Sequence, residues 1–303
     1  DLVLGHPSSD MAGGNSGRVY VVLGRTGANR SDVDTGLLGA DGFAVTTNQP
    51  GWRLGQAVLM AGDLNADGLG DLAVSAIAAD AAAPEGGAVF VIYGRAQANP
   101  ADINLAAMAA NIGSTWFSSA ALSWFGAALG SGEFNGDGIA DLYIGQPGLT
   151  QAGASNAGAV HVLFGGKTWA ASNDIALLPA TLGFSVGGMD LDGYVGHALS
   201  GAGDVNADGL DDIVVGAFNG VYAGQRPGRA WVILGSDDDV IADWSLMDFL
   251  ASDGIALRGS DDGDRLGQSV ASADHNGDGF SDVILGAPGT AAAAGLGAVW
   301  WGN

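Results

Sequence analysis

The sequence predicts an all-β protein, a β-propeller built of four-stranded blades, from three observations. An acidic loop of one design occurs four times along the 303 residues. The loops end at almost constant intervals of 70 or 71 residues. Each interval contains four short apolar runs bounded by small residues. Four short strands per repeat are typical of a propeller blade, and a single repeat of this size cannot bury its own faces, so neighbouring repeats must stack.

The aspartate that closes each loop sets the period of the repeat. It recurs at Asp1, Asp71, Asp141, Asp212 and Asp282. We therefore treat 1–303 as a single propeller region with repeat units at approximately 1–53, 54–124, 125–194, 195–265 and 266–303, of which the first and last are incomplete. This pattern leads us to expect a segment of a longer polypeptide, about five blades of a larger propeller such as a seven-bladed one. A self-sufficient five-bladed ring is the alternative.

Four runs in each repeat are predicted to be strands. The first follows the loop and is continuously apolar, as expected of a strand buried on both faces: 2–5, 72–75, 142–145, 213–216 and 283–286. The second begins and ends with glycine: 17–24, 87–94, 158–165, 228–235 and 297–302. The third is weaker: 42–45, 115–117, 183–186 and 254–257. The fourth precedes the acidic loop: 54–58, 125–129, 195–199 and 266–270. Segments between the second and third strands, such as 102–112 and 240–250, are expected to form outer-edge turns or short helices.

The acidic loops are candidate calcium sites. They span 63–71, 133–141, 204–212 and 274–282, with oxygen-bearing side chains at positions 1, 3, 5 and 9 and glycine at position 6. A hard cation needs several oxygen ligands around a tightly turned backbone. We expect about four Ca²⁺ sites, each using those side chains and the carbonyl of position 7: Asp63, Asn65, Asp67, Leu69 and Asp71; Glu133, Asn135, Asp137, Ile139 and Asp141; Asp204, Asn206, Asp208, Leu210 and Asp212; Asp274, Asn276, Asp278, Phe280 and Asp282.

An EF-hand is excluded for these loops. It needs a carboxylate at position 12 and flanking helices, whereas position 12 is apolar in all four and lies in a predicted strand: Val74, Ile144, Val215 and Leu285. The remaining alternative is a set of Asx turns without metal. Because four such loops occur in register, we favour calcium, with a role in holding the blades together.

The dipeptides around each loop resemble a known repeat. Phe125-Gly126 precedes the second loop, and Gly286-Ala287-Pro288 follows the fourth. These elements are similar to the FG-GAP repeat of integrin α-subunit propellers and related bacterial proteins. The other repeats replace Phe by Leu or Val, and Ser75-Ala76-Ile77 departs furthest from Gly-Ala-Pro. The resemblance covers essentially the whole chain. It implies a propeller with Ca²⁺ loops between the first and second strands of a blade, and commonly an adhesive or interaction role.

Composition excludes several classes of partner. The formal net charge is −23, and four Ca²⁺ ions would still leave −15. Nucleic acid and anionic membrane surfaces are therefore not expected as partners. No run approaches the ~20 apolar residues of a membrane helix. There is no cysteine. Low-affinity calcium loops need millimolar calcium, so we expect a secreted protein, extracellular or at the cell surface, of bacterial type.

The sequence contains no recognised catalytic motif. There is no Gly-x-Ser-x-Gly elbow, P-loop or dinucleotide fingerprint. The four histidines, His6, His161, His197 and His275, show no short metal-ligand spacing, and structural roles are expected for them. Acidic turns at 189–193 and 260–264 are read as solvated turns, with a peripheral cation site as the alternative. The tryptophans could form a sugar-stacking platform, although Trp231, Trp300 and Trp301 belong to strands, where packing is the default.

The predicted function is non-enzymatic. We expect a calcium-stabilised extracellular propeller that serves adhesion, matrix or surface assembly, or protein interaction. Its partner would be a protein or glycan on the cell surface or in the matrix, or a further copy of itself. The loops that vary most between repeats are candidate contact surfaces: 8–16, 78–86, 148–157, 219–227 and 289–295. The alternative is an accessory or carbohydrate-binding propeller of a larger secreted enzyme.

Overall fold

The computed structural model describes residues 1–10, 13–24, 34–36, 38–96, 101–238, 240–289, 296–300 and 302, and shows an all-β chain over these residues. Its strands, in chain order, are β1 (Leu2–His6), β2 (Arg18–Val22), β3 (Gly42–Thr46), β4 (Leu54–Gly62), β5 (Asp71–Ala76), β6 (Ala88–Ile92), β7 (Ile103–Asn104), β8 (Gly113–Phe117), β9 (Leu129–Gly132), β10 (Asp141–Gln146), β11 (Ala159–Leu163), β12 (Ser172–Asp174), β13 (Gly183–Gly187), β14 (Ala198–Gly203), β15 (Asp212–Ala217), β16 (Arg229–Ile233), β17 (Trp244–Ser245), β18 (Gly254–Arg258), β19 (Ser269–Ala273), β20 (Asp282–Ala287) and β21 (Leu296–Trp300). Short 3₁₀ turns occupy Gly39–Asp41, Leu105–Ala107 and Ile175–Leu177.

These strands form five sheets, which are the blades of a β-propeller. Blade I has the order β1-β2-β3-β7, blade II β4-β5-β6-β8-β12, blade III β9-β10-β11-β13-β17, blade IV β14-β15-β16-β18 and blade V β19-β20-β21. Within each blade the consecutive strands pair antiparallel. Strand β4 lies against β9, β9 against β14, and β14 against β19, so the first strands of successive blades face one another. The predicted fold class is confirmed.

The hydrophobic core consists of four clusters, one at each junction between successive blades. The cluster at the junction of blades III and IV, for example, joins Tyr143 and Phe184 to Val215 and Trp231. The other three clusters join blades I and II, II and III, and IV and V. Strands β5, β10 and β15 are buried at every residue, because each is covered on both faces. The continuous apolar runs of the sequence indicated this burial.

Three of the segments between the second and third strands of a repeat, those that follow β6, β11 and β16, pair with the preceding blade. Strand β7 pairs parallel with β3, β12 with β8, and β17 with β13. A 3₁₀ turn follows β7 and β12. The expected turns and short helices at the outer edge are therefore present for 102–112, while 240–250 forms strand β17 and a turn. The added edge strand ties consecutive blades together through backbone hydrogen bonds.

The fourth strand of a repeat begins later than predicted in three of the four repeats. Strands β9, β14 and β19 begin at Leu129, Ala198 and Ser269, so the Phe-Gly dipeptide and its equivalents form a turn. The amide of Gly126 donates to the carbonyl of Gly145 at 2.9 Å, and Gly126 has φ +89°. A Cβ on Gly145 would lie 2.0 Å from the carbonyl oxygen of Gly196 in the next blade. Glycine at these two positions allows neighbouring blades to approach closely.

Candidate metal centre

The aspartate at position 9 of each acidic loop is fully buried and accepts two backbone amides. Asp71 Oδ2 accepts the amide of Leu64 at 2.8 Å, and its Oδ1 accepts the amide of Gly94, just after the second strand, at 2.7 Å. Asp141, Asp212 and Asp282 make the equivalent pair of bonds at 2.8 to 3.0 Å. A carboxylate offers about four lone-pair sites, so two sites on each aspartate remain for another ligand.

The side chains at positions 1, 3 and 5 organise the exposed part of the loop. In the first loop, Asp63 accepts the amides of Asp67 and Gly68 at 3.1 and 2.7 Å. Asn65 also accepts the amide of Asp67, at 3.0 Å, and donates to its carboxylate. Asp67 in turn accepts the amide of Leu69 at 2.9 Å. The oxygens of these positions thus point towards the loop backbone, as in a chain of Asx turns.

The third and fourth loops follow the same pattern. Asp204 accepts the amides of Asp208 and Gly209, and Asp274 accepts those of Gly277 and Gly279. The asparagine at position 3 bonds the position-5 aspartate in all four loops. The position-7 residues Leu69, Ile139, Leu210 and Phe280 each donate their amide to the position-5 carboxylate at 2.9 to 3.0 Å. The hydrogen bonds of positions 3, 5, 7 and 9 are therefore repeated in all four loops, while those of position 1 vary.

The donor set of these loops suits calcium in kind and number. Each loop supplies three carboxylates and one amide oxygen, which are the hard ligands that Ca²⁺ takes. Among the described residues, however, no three acidic or histidine side chains lie close enough together to hold a metal ion. The carboxylates at positions 1 and 5 are instead engaged by loop amides. Binding of a cation thus requires these side chains to reorient within the loop.

The second loop differs from the others in its first residue. Glu133 Oε1 is buried and has no hydrogen-bond partner among the described residues, whereas the aspartate at the same place in the other loops accepts two amides. A buried carboxylate oxygen without a partner costs free energy. A cation in this loop would provide the missing interaction, so the unpartnered oxygen of Glu133 fits a metal ligand.

Burial raises the pKa of the position-9 aspartates in the first three loops. The pKa of Asp71 rises from 3.8 to about 6, and that of Asp141 to about 7. Burial is the largest cause, the two amide hydrogen bonds oppose it, and the carboxylates at positions 5 and 1 raise the pKa further. The pKa of Asp212 rises to about 6 for the same reasons. A cation would remove this mutual repulsion by neutralising the loop.

Neighbouring loops are also joined to one another. The amide of Asp211, at position 8 of the third loop, donates to the carbonyl of Glu133 in the second at 2.9 Å. The carboxylate of Asp211 accepts the amide of Glu133, also at 2.9 Å. Between the third and fourth loops, the amide of Ser281 donates to the carbonyl of Asp204 at 3.2 Å. A change in one loop therefore bears directly on the next blade. The sequence offered no periodic signal for position 8, which is Gly, Ala, Asp or Ser.

At the end of the blades opposite the acidic loops, the contacts between neighbouring loops are less regular. Asp190 accepts the amide of Val221 at 2.8 Å, and Asp192 accepts the side chain of Asn156 at 2.8 Å. Asp262 accepts the amide of Arg226 at 2.7 Å. The acidic turns at 189–193 and 260–264 therefore join adjacent loops and are not merely solvated. The variable loops 8–16 and 289–295 lie partly outside the described residues.

The histidine and tryptophan predictions agree with the structure where it describes them. His161 is buried and bonds Ser185 at 2.9 Å and Gln146 at 2.7 Å, and burial lowers its pKa to about 3. His197 bonds Gln268 at 2.9 Å. Trp231 is buried in the core, whereas Trp301 lies outside the described residues. These side chains have packing and hydrogen-bonding roles.

Comparison with known proteins places the acidic loops in a recognised repeat. The family model for the FG-GAP repeat matches residues 125–163 and 266–300. Each matched segment begins at the Phe-Gly dipeptide or its equivalent and contains one complete acidic loop. The chain thus carries FG-GAP repeats, as the residues of the sequence indicated.

Curated relatives match a little over half of the chain. Phosphatidylinositol-glycan-specific phospholipase D of Dictyostelium discoideum is 31% identical over 180 residues, which are 55% of this chain and 18% of the relative. The human protein of the same name is 30% identical over 57% of this chain and 19% of the relative. Integrin alpha-5 of Xenopus laevis is 31% identical over 55% of this chain and 14% of the relative. The match thus spans less than a fifth of each of these relatives.

Proposed function

Because the chain carries FG-GAP repeats in a propeller, we propose that it is a calcium-stabilised module that acts outside the cell. Its role would be adhesion, matrix or surface assembly, or protein interaction, without catalysis of its own. The observation that carries the proposal is the acidic loop, whose hydrogen bonds at positions 3, 5, 7 and 9 are repeated in four successive blades. Within the described part of the chain, no helix has the length and apolar character needed to cross a membrane.

The residues of each acidic loop would have different roles. Positions 1, 3, 5 and 9 would hold the ion with the carbonyl of position 7, and the ion would supply positive charge to three carboxylates. Asp141 also accepts amides from Phe134 and Gly165, and so joins the loop to the strand β10 that it begins and to the end of β11. An ion held by Asp141 would therefore stabilise the packing of that blade.

Thermal unfolding with and without calcium tests this proposal. The purified chain is treated with EDTA, and its melting temperature is then measured with about 1 mM CaCl₂ added back, a concentration suited to extracellular calcium modules. Because an ion that binds only the folded state stabilises it, we expect a marked fall in EDTA and full recovery with Ca²⁺. An equal concentration of Mg²⁺ is the control and should restore less, since Mg²⁺ demands stricter octahedral geometry. Superimposable melting curves would contradict the proposal.

The likeness to phosphatidylinositol-glycan-specific phospholipase D favours a second candidate. The chain would then be an accessory or carbohydrate-binding propeller of a larger secreted enzyme. An assay for hydrolysis of a glycosylphosphatidylinositol-anchored protein by the purified chain tests whether this segment is itself catalytic, which neither candidate expects. We expect no hydrolysis in the presence of Ca²⁺. Turnover that survives repurification would show that this segment is catalytic, and specific binding on a glycan array would favour the carbohydrate-binding role.

A further inference from the structure

A cavity of about 500 Å³ opens between blade III and the segment that joins β16 to β18. Its floor includes Phe134 and Phe184, both buried, whose rings lie 5.4 Å apart between centroids. Ile233 of blade IV and the half-buried Trp244 of β17 extend this apolar surface. Cavities of this size and lining are typical of ligand sites.

The equivalent place at the preceding junction is filled. The same backbone hydrogen bond is present at both junctions. At the junction of blades II and III the amide of Gly166 donates to Leu64 O at 2.9 Å, and at the junction of blades III and IV the amide of Ser236 donates to Phe134 O at 3.0 Å. The parallel edge strands share one register, in which Asn173 lies opposite Trp116 and Trp244 opposite Val186.

The two junctions differ in the size of one side chain, which lies four residues before Asn173 at the first junction and four residues before Trp244 at the second. Trp169 is 8% exposed and packs edge-on against Trp116, with ring centroids 5.8 Å apart. Its counterpart Val240 is 57% exposed and lines the cavity. A large side chain has thus closed one junction, and a small one leaves the next open.

The charges around the cavity have one sign. Asp238, Asp248 and Asp253 line it, and no lysine or arginine among the described residues does. Asp253 accepts the amide of Leu250 at 2.7 Å and the hydroxyl of Ser252 at 3.2 Å. Asp238 and Asp248 are exposed, and their carboxylates make no hydrogen bond among the described residues. The rim therefore attracts cations.

A second cavity of about 400 Å³ lies alongside the first and shares two of its residues, Trp244 and Asp248. It adds Gln151 and Asp243 to the lining. The two cavities together form an extended surface that follows the edge strand β17. Such a surface suits a stretch of polypeptide better than a single small ion.

We propose that these two cavities bind an extended basic segment of a partner protein, with a lysine or arginine side chain inserted in the larger one. The apolar floor would cover the methylene stem of that side chain. The Trp244 ring and the carboxylate of Asp248 would face its charge. This inference rests on the proposed interaction role and specifies the chemistry of the partner.

Peptide binding to the calcium-loaded chain tests the proposal. The probe is a blocked pentapeptide with lysines at positions 2 and 4. Its binding is measured by ¹⁹F NMR of protein labelled with 5-fluorotryptophan. Trp244→Phe assigns the Trp244 resonance, and we expect saturable shifts of it. Val240→Trp, which copies the preceding junction, should weaken binding about tenfold or more because the indole occupies the cavity. Asp248→Asn should weaken it about fivefold, as expected for an exposed charge pair.

Met247→Trp is the matched control, since Met247 is 72% exposed and lies outside both cavity linings. It adds the same side chain to the same segment and should leave peptide affinity unchanged. Equal binding of a peptide with glutamates in place of the lysines, preferential binding of a neutral oligosaccharide, or full affinity in Val240→Trp would each overturn the proposal. Melting in EDTA, recorded on the same sample, keeps the calcium proposal separate, because peptide binding can fail while calcium still stabilises the fold.

Discussion

Positions 9 and 5 of an acidic loop are both aspartates, but their carboxylates lie in very different surroundings. Asp141 is buried and accepts two amides that belong to the loop and to the end of the second strand. Asp137 is exposed, and it accepts the backbone amide of Ile139 and the side-chain amide of Asn135, both within its own loop. The first carboxylate therefore contributes to the fold whether or not a cation is present, while the second matters chiefly when one is bound. On the proposed function, the acidic loop would be partly a structural element and partly a set of ligands.

Replacing the buried carboxylate gives the largest expected effect. Asp141→Ala leaves the amides of Phe134 and Gly165 buried without an acceptor. Each unsatisfied group costs about 1–3 kcal/mol, so for two groups we expect a loss of about 2–6 kcal/mol, measured by urea unfolding. The loss should appear in EDTA as well as in Ca²⁺. An unchanged midpoint in EDTA would show that position 9 acts only as a ligand.

Replacing the exposed carboxylate should separate the two parts of the loop. Asp137→Asn keeps an oxygen for the amide of Ile139 but removes one charged ligand. In EDTA we expect a change within about 0.5 kcal/mol, as for most surface substitutions. In Ca²⁺ at about 100 times the wild-type dissociation constant, loss of one site should cost up to about 2.7 kcal/mol. Equal effects in both conditions would remove the distinction between positions 5 and 9.

The dependence of stability on pH should change sign with calcium. The pKa of Asp71, Asp141 and Asp212 is raised from 3.8 to about 6 or 7, so between about pH 4 and 7 the folded state without metal binds more protons than the unfolded state. Its stability should therefore fall as pH rises through that window. The lowered pKa values of His161 and His197 act in the opposite direction, but two groups oppose three.

Calcium should reverse this trend because the ion binds the deprotonated loop. Melting temperatures at pH 5 and pH 7.5, in EDTA and in Ca²⁺, measure both slopes. We expect the higher value at pH 5 in EDTA and at pH 7.5 in Ca²⁺. The same slope in both buffers would contradict the role given to the buried aspartates.

The smallest effect is expected at the first position of the second loop. Within the part of the chain that the structure describes, Glu133 Oε1 is buried without a hydrogen-bond partner, so Glu133→Gln removes a poorly compensated charge. In EDTA we expect stabilisation of up to about 1 kcal/mol, and in Ca²⁺ a loss, as a charged ligand disappears. The matched variant Asp63→Asn replaces a carboxylate that already accepts two amides and should not stabilise the metal-free protein. Destabilisation by Glu133→Gln in EDTA would rule out the unpartnered state of Glu133.

Much of this arrangement could be predicted from the repeat, because the period and the apolar runs report local burial. The bond between Asp71 and Gly94 was not predicted, although the glycine that ends each second strand was visible. The edge strand of Ile103 and Asn104 also escaped prediction. A strand of two residues is too short to show a periodic apolar pattern in the sequence, and its pairing depends on residues of the preceding blade. The open junction at Val240 depends on how side-chain volume fills a space that only the assembled blades define.

Calcium stoichiometry tests the central claim most directly. Isothermal titration calorimetry of the chain, stripped with EDTA and exchanged into chelator-free buffer, should show one ion for each of the four acidic loops. Asp137→Asn should bind one ion fewer and leave the remaining sites in place. Absence of saturable Ca²⁺ binding by the folded wild-type chain would contradict the claim and leave the loops as hydrogen-bonded turns.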